Sequence, residues 1–237
     1  MREQMRQLAL VTGASSGIGY ELARLCAQAH YDLILAGDEP EVRDGAGDLS
    51  TYGSLVIPVQ CDLATPAGVA EVLREVESTG RPLDALLANA GRGLGRPFLD
   101  QDLEQVLKLV RTNIEATLRL IHSAGRAMRS RGHGHILITG SIAAMPGAFQ
   151  ALYGGTQAFL DSFTFALAEE LHDTGVTVTS LLPGLTETDF FDQAENRMQA
   201  AEVARAGFEA MLRGNRPPSQ IMGRGPGRPS GKAASSA

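Results

Sequence analysis

The sequence predicts an α/β protein, a doubly wound parallel sheet in three layers with helices on both faces. Short apolar runs of strand length alternate with longer stretches of helical periodicity along most of the 237 residues. The runs lack the period-two alternation of a half-exposed sheet, so we expect their strands to be buried on both faces. The first run leads through three closely spaced glycines into a helical pattern. A chain of this length suits one domain of this class.

Six apolar runs are predicted strands, at 8–11, 32–36, 55–60, 85–88, 135–139 and 177–182. Helical patterns occupy 17–29, 65–78, 100–130, 153–173 and 201–213. The segment 39–53 holds three glycines, so its helix should be short or irregular. A seventh strand is not obvious, and 219–222 is its one poor candidate. Right-handed crossovers would place a ligand crevice at the carboxyl ends of the strands.

The glycine turn is the first candidate site. Gly13, Gly17 and Gly19 are spaced Gly-x-x-x-Gly-x-Gly between the first strand and the first helix. A helix N-terminus offers unpaired N–H groups and a positive dipole end to a phosphate, and missing Cβ atoms let the backbone approach a pyrophosphate. The pattern therefore favours a dinucleotide site, with a plain tight turn as the alternative.

Composition and cysteine content indicate the compartment. The charged N-terminus runs straight into the first strand and leaves no room for a signal peptide, and no apolar stretch of about 18 residues is present. Cys26 and Cys61 are the only cysteines, and we expect a buried, reduced pair. We therefore expect a cytoplasmic protein with no membrane partner.

The C-terminal segment differs from the body. We divide the chain into one domain over 1–213 and a Gly/Pro/Arg-rich tail over 214–237, mostly disordered from about Gly223. Five of the 21 basic residues lie from Arg213 onward, where no acid occurs, so the body is more acidic than the net charge of −6 indicates. An acidic body argues against nucleic acid as the main partner. Gly227–Pro229 resembles the core of an AT-hook, which leaves a minor-groove arm as a minor alternative for the tail.

Up to about Arg213 the chain resembles the short-chain dehydrogenase/reductase superfamily. The resemblance is carried by motifs in the family's order and spacing: Thr12–Gly19, Asp62-Leu63, Asn89-Ala90-Gly91, Asn113, Ser141, Tyr153 and Pro183-Gly184. It implies a Rossmann-type sheet of order 3-2-1-4-5-6, an NAD or NADP cofactor, and hydride transfer between nicotinamide and a carbonyl/alcohol substrate. It also implies a homo-oligomer, a dimer or tetramer.

The resemblance assigns a set of cofactor-binding residues. They are Gly13, Ser15, Ser16, Gly17, Ile18, Gly19, Asp38, Asp62, Leu63, Asn89, Ala90, Gly91, Tyr153, Gln157, Pro183, Gly184, Thr186 and Thr188. Asp62 would accept a bond from the adenine amino group, although an Asp after a strand is also a common cap. Asn89 to Gly91 would steady the sheet and line the cofactor, and a strand-ending turn would look the same.

Three of the implied catalytic residues are Asn113, Ser141 and Tyr153. Ser141, twelve residues before Tyr153, would stabilise charge on the substrate oxygen. Tyr153 would be the general acid in reduction and the base in oxidation. Asn113 would hold a water in the proton relay, or it bonds outward to bulk water as a mid-helix Asn often does.

Position 157 departs from the family. The motif is Tyr-x-x-x-Lys, and this chain has Gln157. An amide can bond the ribose hydroxyls. It cannot lower the Tyr153 pKa as the charge of a lysine would. A unit charge about 5 Å away, at an effective dielectric of about 20, is worth roughly 3 kcal/mol. We therefore expect cofactor binding to survive and turnover at pH 7 to fall about a hundredfold or more. The alternative is a dinucleotide-binding protein with little or no catalysis.

The choice between NAD and NADP leans towards NAD. Members that use NADP usually have Arg or Lys in the glycine turn or after the second strand, where this chain has Ser15, Ser16 and Asp38. An acid there would repel a 2′-phosphate and accept a bond from a free 2′-hydroxyl. Two alternatives stay open. Arg43 could fold back towards a 2′-phosphate, or Asp38 could simply be an acid at the start of a helix.

The loop after the sixth strand resembles the family's nicotinamide contact. Thr186 and Thr188 would bond the carboxamide, and Phe190, Phe191 and 195–201 would cover the substrate. Pocket candidates at 92–98, 143–149 and 185–197 suit a mid-sized apolar carbonyl compound among many others, and fold resemblance does not choose among them.

Overall fold

A computed structural model describes residues 6–141, 151–183, 193–214 and 221–222. Its centre is one parallel sheet of order β3-β2-β1-β4-β5-β6-β7. The strands are β1 (Leu8–Thr12), β2 (Asp32–Gly37), β3 (Val56–Gln60), β4 (Ala85–Ala88), β5 (Gly134–Thr139), β6 (Val176–Leu182) and β7 (Ile221–Met222). The predicted six-strand order is therefore confirmed. The poor seventh candidate is a two-residue strand, paired in parallel with the end of β6.

The helices cover both faces of this sheet. They are α1 (Gly17–Gln28), α2 (Glu41–Ser50), α3 (Pro66–Ser78), α4 (Leu103–Val110), α5 (Thr117–Arg131), α6 (Ala151–Glu170) and α7 (Gln193–Arg213). The predicted helix over 100–130 is interrupted, because a π-helical segment over Arg111–Ala116 joins α4 to α5. α2 is only ten residues long, as its glycines predict.

Two buried layers of side chains hold the helices on the sheet. Successive strand residues point to opposite faces. Leu8 and Leu10 of β1 pack in one layer with residues of α3, α5 and α6, and Ala9 and Val11 pack in the other with residues of α1 and α7. The strands β1, β2 and β4 are buried at every position, which is why their sequences show no alternation.

Acidic side chains fix the edge of the sheet where the strands begin. The Asp84 carboxylate accepts a bond from the Leu8 N–H at 2.9 Å, and the Asp32 carboxylate accepts one from the Leu55 N–H at 2.9 Å. Arg81 pairs with Asp32 at 2.6 Å. The ends at which the strands begin are thus held by hydrogen bonds and an ion pair within the protein.

Cys26 and Cys61 are both buried and free, as the sequence predicts. Among the helices in the described part of the chain, none combines the length and apolarity needed to cross a bilayer.

Candidate active site

The glycine turn between β1 and α1 has the backbone that close approach to a ligand requires. Gly13 and Gly17 have φ of 64° and 57°, in the left-handed region that favours glycine. A Cβ on Gly19 would lie 1.9 Å from the Gly13 carbonyl oxygen, so only glycine fits there. The Ser15 hydroxyl oxygen is buried and has no partner in the described structure. A buried, unpaired hydroxyl beside an open helix N-terminus fits a phosphate or ribose hydroxyl.

A cavity of about 240 Å³ opens beside this turn, at the ends of β2, β3 and β4. Its lining includes the predicted residues Gly13, Asp38, Asp62, Leu63, Ala90 and Gly91, joined by Gly37, Glu39, Cys61, Arg92 and Thr112. Residues from five separate stretches of sequence therefore meet in this cavity, where the resemblance predicts the adenosine of the cofactor. Asp38 and Glu39 are exposed at its mouth.

Asp62 is held by bonds that the sequence did not reveal. Its carboxylate accepts a bond from the Ala64 N–H at 2.9 Å and pairs with the Lys108 ammonium at 2.8 Å. Burial alone would raise the pKa of Asp62, but the bonds from Lys108 and Ala64 outweigh it and the pKa is lowered. The carboxylate is thus ionised and oriented, as an acceptor for an amino group must be.

The Asn89 motif ties the end of β4 to the glycine turn. The Thr12 hydroxyl accepts bonds from the N–H groups of Asn89 and Ala90, both at 3.0 Å. The Asn89 side chain donates to the Gly13 carbonyl at 3.4 Å. The motif therefore supports the turn directly, which is the structural part of its predicted role.

Asn113 lies fully buried in the π-helical segment and joins three elements. Its Oδ1 accepts a bond from the Arg92 N–H at 2.9 Å, and its Nδ2 donates to the Arg92 carbonyl at 3.0 Å and to the Thr156 hydroxyl at 3.1 Å. Thr156 in turn donates to the Tyr153 carbonyl at 2.8 Å. Asn113 thus fixes the loop after β4 against the helix that carries Tyr153, while its relay role stays a prediction.

Ser141 and Tyr153 meet at the end of β5. The two side chains form a hydrogen bond, and Ser141 is 7% exposed. Burial raises the pKa of Tyr153, and the bond from Ser141 lowers it in part. In the described structure no cation contributes to this pKa. Among the described residues, the phenol therefore has a hydroxyl donor beside it and no fixed positive charge.

Gln157 lies one turn after Tyr153 on α6 and is 3% exposed. Its Oε1 is buried without a hydrogen-bond partner among the described residues. Lys108 is paired with Asp62, which lines the cavity beside the glycine turn. The family's lysine therefore has no substitute in the part of the site that the structure describes.

Other predicted residues are placed less completely. Pro183 follows β6 and is half-buried. Gly184, Thr186, Thr188, Phe190 and Phe191, together with 143–149, lie outside the described residues. The described His, Cys, Asp and Glu side chains form no cluster suited to a metal ion.

Three contributors to this site were not predicted from the sequence: Lys108, Thr156 and Asp161. Thr12 was predicted only as the start of the glycine motif. Thr12, Lys108 and Thr156 act through bonds to residues on other elements. Asp161 carried one available signal, since it lies four and eight residues after Gln157 and Tyr153 and so on their helix face.

Comparisons with known proteins agree with this geometry. A family model for the short chain dehydrogenase matches residues 7–199. The short-chain reductase protein NovJ of Streptomyces niveus is 35% identical over 196 residues, covering 81% of this chain and 73% of NovJ. The bulky-bulky ketone specific alcohol dehydrogenase from Comamonas testosteroni superimposes with a TM-score of 0.82 at 26% identity, over 91% of this chain and 85% of that one. A short-chain dehydrogenase from Sphingobium yanoikuyae in complex with NADPH gives 0.80 at 28% identity, over 91% and 87%.

Proposed function

The chain belongs to the short-chain dehydrogenase/reductase family of oxidoreductases, and from that premise we propose that it transfers hydride between a nicotinamide cofactor and a small carbonyl/alcohol substrate. The observation that carries the proposal is the Ser141–Tyr153 hydrogen bond, at the same sheet edge as the glycine turn. These are the proton donor and the oxyanion donor that carbonyl reduction needs.

The chain's own residues divide the work as follows. The turn from Gly13 to Gly19 and the Asp62 cavity would hold the dinucleotide, which supplies or accepts hydride when bound. Ser141 would donate a hydrogen bond to the substrate oxygen, stabilising the charge that develops on it. Tyr153 would give its proton to that oxygen in reduction and remove it in oxidation. Asn113 keeps α6 in register with the loop after β4.

The test is a titration with NADH and NADPH, followed by single-turnover reduction of a panel of ketones and aldehydes. We expect micromolar to millimolar cofactor binding and slow oxidation of the reduced cofactor. Tyr153→Phe should bind equally well and lose turnover. Failure of both nucleotides to bind at millimolar concentration would overturn the proposal.

We further propose that Gln157 makes turnover at pH 7 slow. Support comes from the raised pKa of Tyr153, to which no described cation contributes. The second candidate function, a dinucleotide-binding protein with a structural or regulatory role, rests on the same observation. An optimum for alcohol oxidation that is displaced to alkaline pH favours the slow enzyme. Intact NADH binding with no turnover at any pH favours the binding protein.

For the cofactor we propose a preference for NAD. Asp38, Glu39 and Asp62 line the cavity, and Arg92 is the one cation among its described lining residues. The short-chain dehydrogenase from Sphingobium yanoikuyae is in complex with NADPH, so the proposed preference would distinguish this chain from that relative. We expect NADH to bind about tenfold more tightly than NADPH, and Asp38→Asn to narrow the gap. Equal affinities for NADH and NADPH in both the wild type and Asp38→Asn would contradict this preference.

We also propose that the chain forms homo-oligomers through the face where α5 meets α6. A groove there is lined by Leu118, Ile121, Phe163 and Leu167, and Phe159 stacks on Phe163 with ring centres 6.0 Å apart while 39% exposed. Light scattering should show a dimer or tetramer, and Phe159→Glu should shift it towards monomer. A wild-type monomer at micromolar concentration would refute it.

The buried free thiols support a cytoplasmic location.

A further inference from the structure

Asp161 lies on the catalytic face of α6, and the mechanism above does not use it. Tyr153, Gln157 and Asp161 are spaced four residues apart, so their side chains stack along one face of the helix. The carboxylate packs against the end of β5: a Cβ on Gly140 would lie 2.4 Å from Asp161 Oδ1 and 2.9 Å from Leu182 Cδ2. Gly140 directly precedes Ser141. An acid therefore faces the strand end that carries the catalytic serine.

Two buried oxygens on this face lack hydrogen-bond donors. Gln157 Oε1 and Asp161 Oδ1 are both shielded from solvent, and neither has a partner in the described part of the chain. Two acceptors cannot satisfy each other, whereas one proton on Asp161 makes its carboxyl a donor. A Gln and an Asp four residues apart on a helix are within reach of a side-chain hydrogen bond. A single proton would thus pair both oxygens.

We propose that Asp161 is a positioning residue, whose proton decides which way the Gln157 amide faces. A neutral Asp161 donates its O–H to Gln157 Oε1, which turns the Nε2 donor towards Tyr153 and the ribose side of the site. An ionised Asp161 accepts from Nε2, which turns Oε1 towards Tyr153. For its effect on catalysis this inference rests on the proposed function; the Asp161–Gln157 bond itself does not.

The direction of the amide matters for the phenol. A donor facing Tyr153 favours the phenolate, and an acceptor favours the protonated phenol. An amide that presents its donor would therefore do part of what the family's lysine does by charge. Asp161 would control that contribution with pH.

The surroundings of Asp161 allow this switch near neutral pH. Burial raises the pKa of Asp161 to about 6, and no charged group in the described structure adds to the shift. Of the elements around it, β6 has no ionisable residue and β5 has only His135 near its start. The remaining ionisable groups are Arg111 and Glu115 on the π-helical segment, Glu104 and Lys108 on α4, and Tyr153, Glu169 and Glu170 on α6 itself. None of these contributes to the pKa of Asp161.

The bond is tested in the cofactor-free, full-length protein by NMR of the Gln157 side-chain amide, identified by its loss in Gln157→Met. We expect its resonances to shift between pH 5 and 8 with a midpoint near 6, and to stay constant in Asp161→Asn. Glu169→Gln, which removes an exposed acid from the same helix, should keep the wild-type midpoint. The proposal would be overturned if the Gln157 amide resonances of the wild type do not change with pH, or if they change equally in Asp161→Asn. Asp161→Ser provides the same comparison if the Asn variant misfolds.

The consequence for the site is tested by NADH fluorescence titration between pH 5.5 and 8. We expect affinity to weaken about fivefold as Asp161 ionises, the size of one hydrogen bond, and to be flat in Asp161→Asn. An amide that titrates without a matching change in affinity would refute the link to the cofactor site. If NADH does not bind at any pH, the proposed function fails while the NMR result still decides the bond.

Discussion

Restoring the family's lysine by Gln157→Lys is the sharpest test of how this site works. Gln157 is buried one turn from Tyr153, whose pKa is raised by burial and lowered only by the bond from Ser141. An ammonium about 5 Å from the phenol, at an effective dielectric of about 20, favours the phenolate by roughly 3 kcal/mol. That corresponds to about two pKa units, or a hundredfold in the population of the reactive base at pH 7.

The structure also sets a limit on this gain. A lysine buried at 157 must remain charged to act, and burial opposes that. Asp161, four residues further along the same face and mostly ionised at pH 7 because its pKa is about 6, would supply the counter-charge. The ion pair with Asp161 keeps the lysine charged, but the negative charge of Asp161 cancels part of the effect of the lysine on the Tyr153 pKa. We therefore expect a gain of about tenfold to a hundredfold in hydride transfer at pH 7, with the optimum shifted towards neutral pH.

Single-turnover reduction of NAD between pH 6 and 10, with the alcohol that corresponds to the best substrate of the ketone and aldehyde panel, measures this directly, because Tyr153 acts as the base in this direction. Gln157→Met, similar in size and uncharged, is the matched control and should show no gain. If Gln157→Lys folds and binds NADH as the wild type does, yet its rate and optimum are unchanged, then charge at position 157 does not limit the reaction.

Three further predictions follow from the geometry. Gly19→Ala should weaken NADH binding at least a hundredfold in fluorescence titrations with the fold intact by circular dichroism, because its Cβ would meet the Gly13 carbonyl at 1.9 Å; unchanged affinity would contradict this. Asn113→Leu should lower the free energy of unfolding in urea by about 1 to 3 kcal/mol, since it leaves the partly buried N–H and carbonyl of Arg92 without these partners; no measurable loss would refute it. Burial lowers the pKa of His135, so its contribution to stability is complete above the ordinary histidine pKa of about 6.5 and is lost as pH falls. The difference in urea stability between pH 8 and pH 5 should therefore be smaller in His135→Asn than in the wild type.

The sheet was predictable because strands buried on both faces appear in the sequence as short, continuous apolar runs. Each of the six longer strands begins within a residue of its predicted start. Elements that depend on tertiary hydrogen bonds rather than on a local pattern were not predictable. Asn113 sits in a π-helical segment whose only sequence signal is a polar residue on a helical face, and two-residue β7 is too short to form any pattern.

The candidate site divides along the same line. Ser141 and Tyr153 were predicted to act together, and the structure brings them into hydrogen-bond contact. Lys108, in contrast, is separated from Asp62 by 46 positions, and the two meet only because the fold brings α4 to the residues that follow β3. A sequence shows which residues can bond, while the packed elements decide which do.

Asp161 is where this distinction bears on function. On the sequence it is one acid on a helix, and an acid on a helix is usually solvated. Only the closure of β5 against β6 brings Gly140 and Leu182 onto it and turns a solvated charge into a group that titrates near neutral pH. If its proton sets the direction of the Gln157 amide, the replacement of lysine by glutamine exchanges a fixed charge for a pH-dependent dipole. The residue that departs from the family and the acid beside it should then be substituted together, since either change alone alters the other's state.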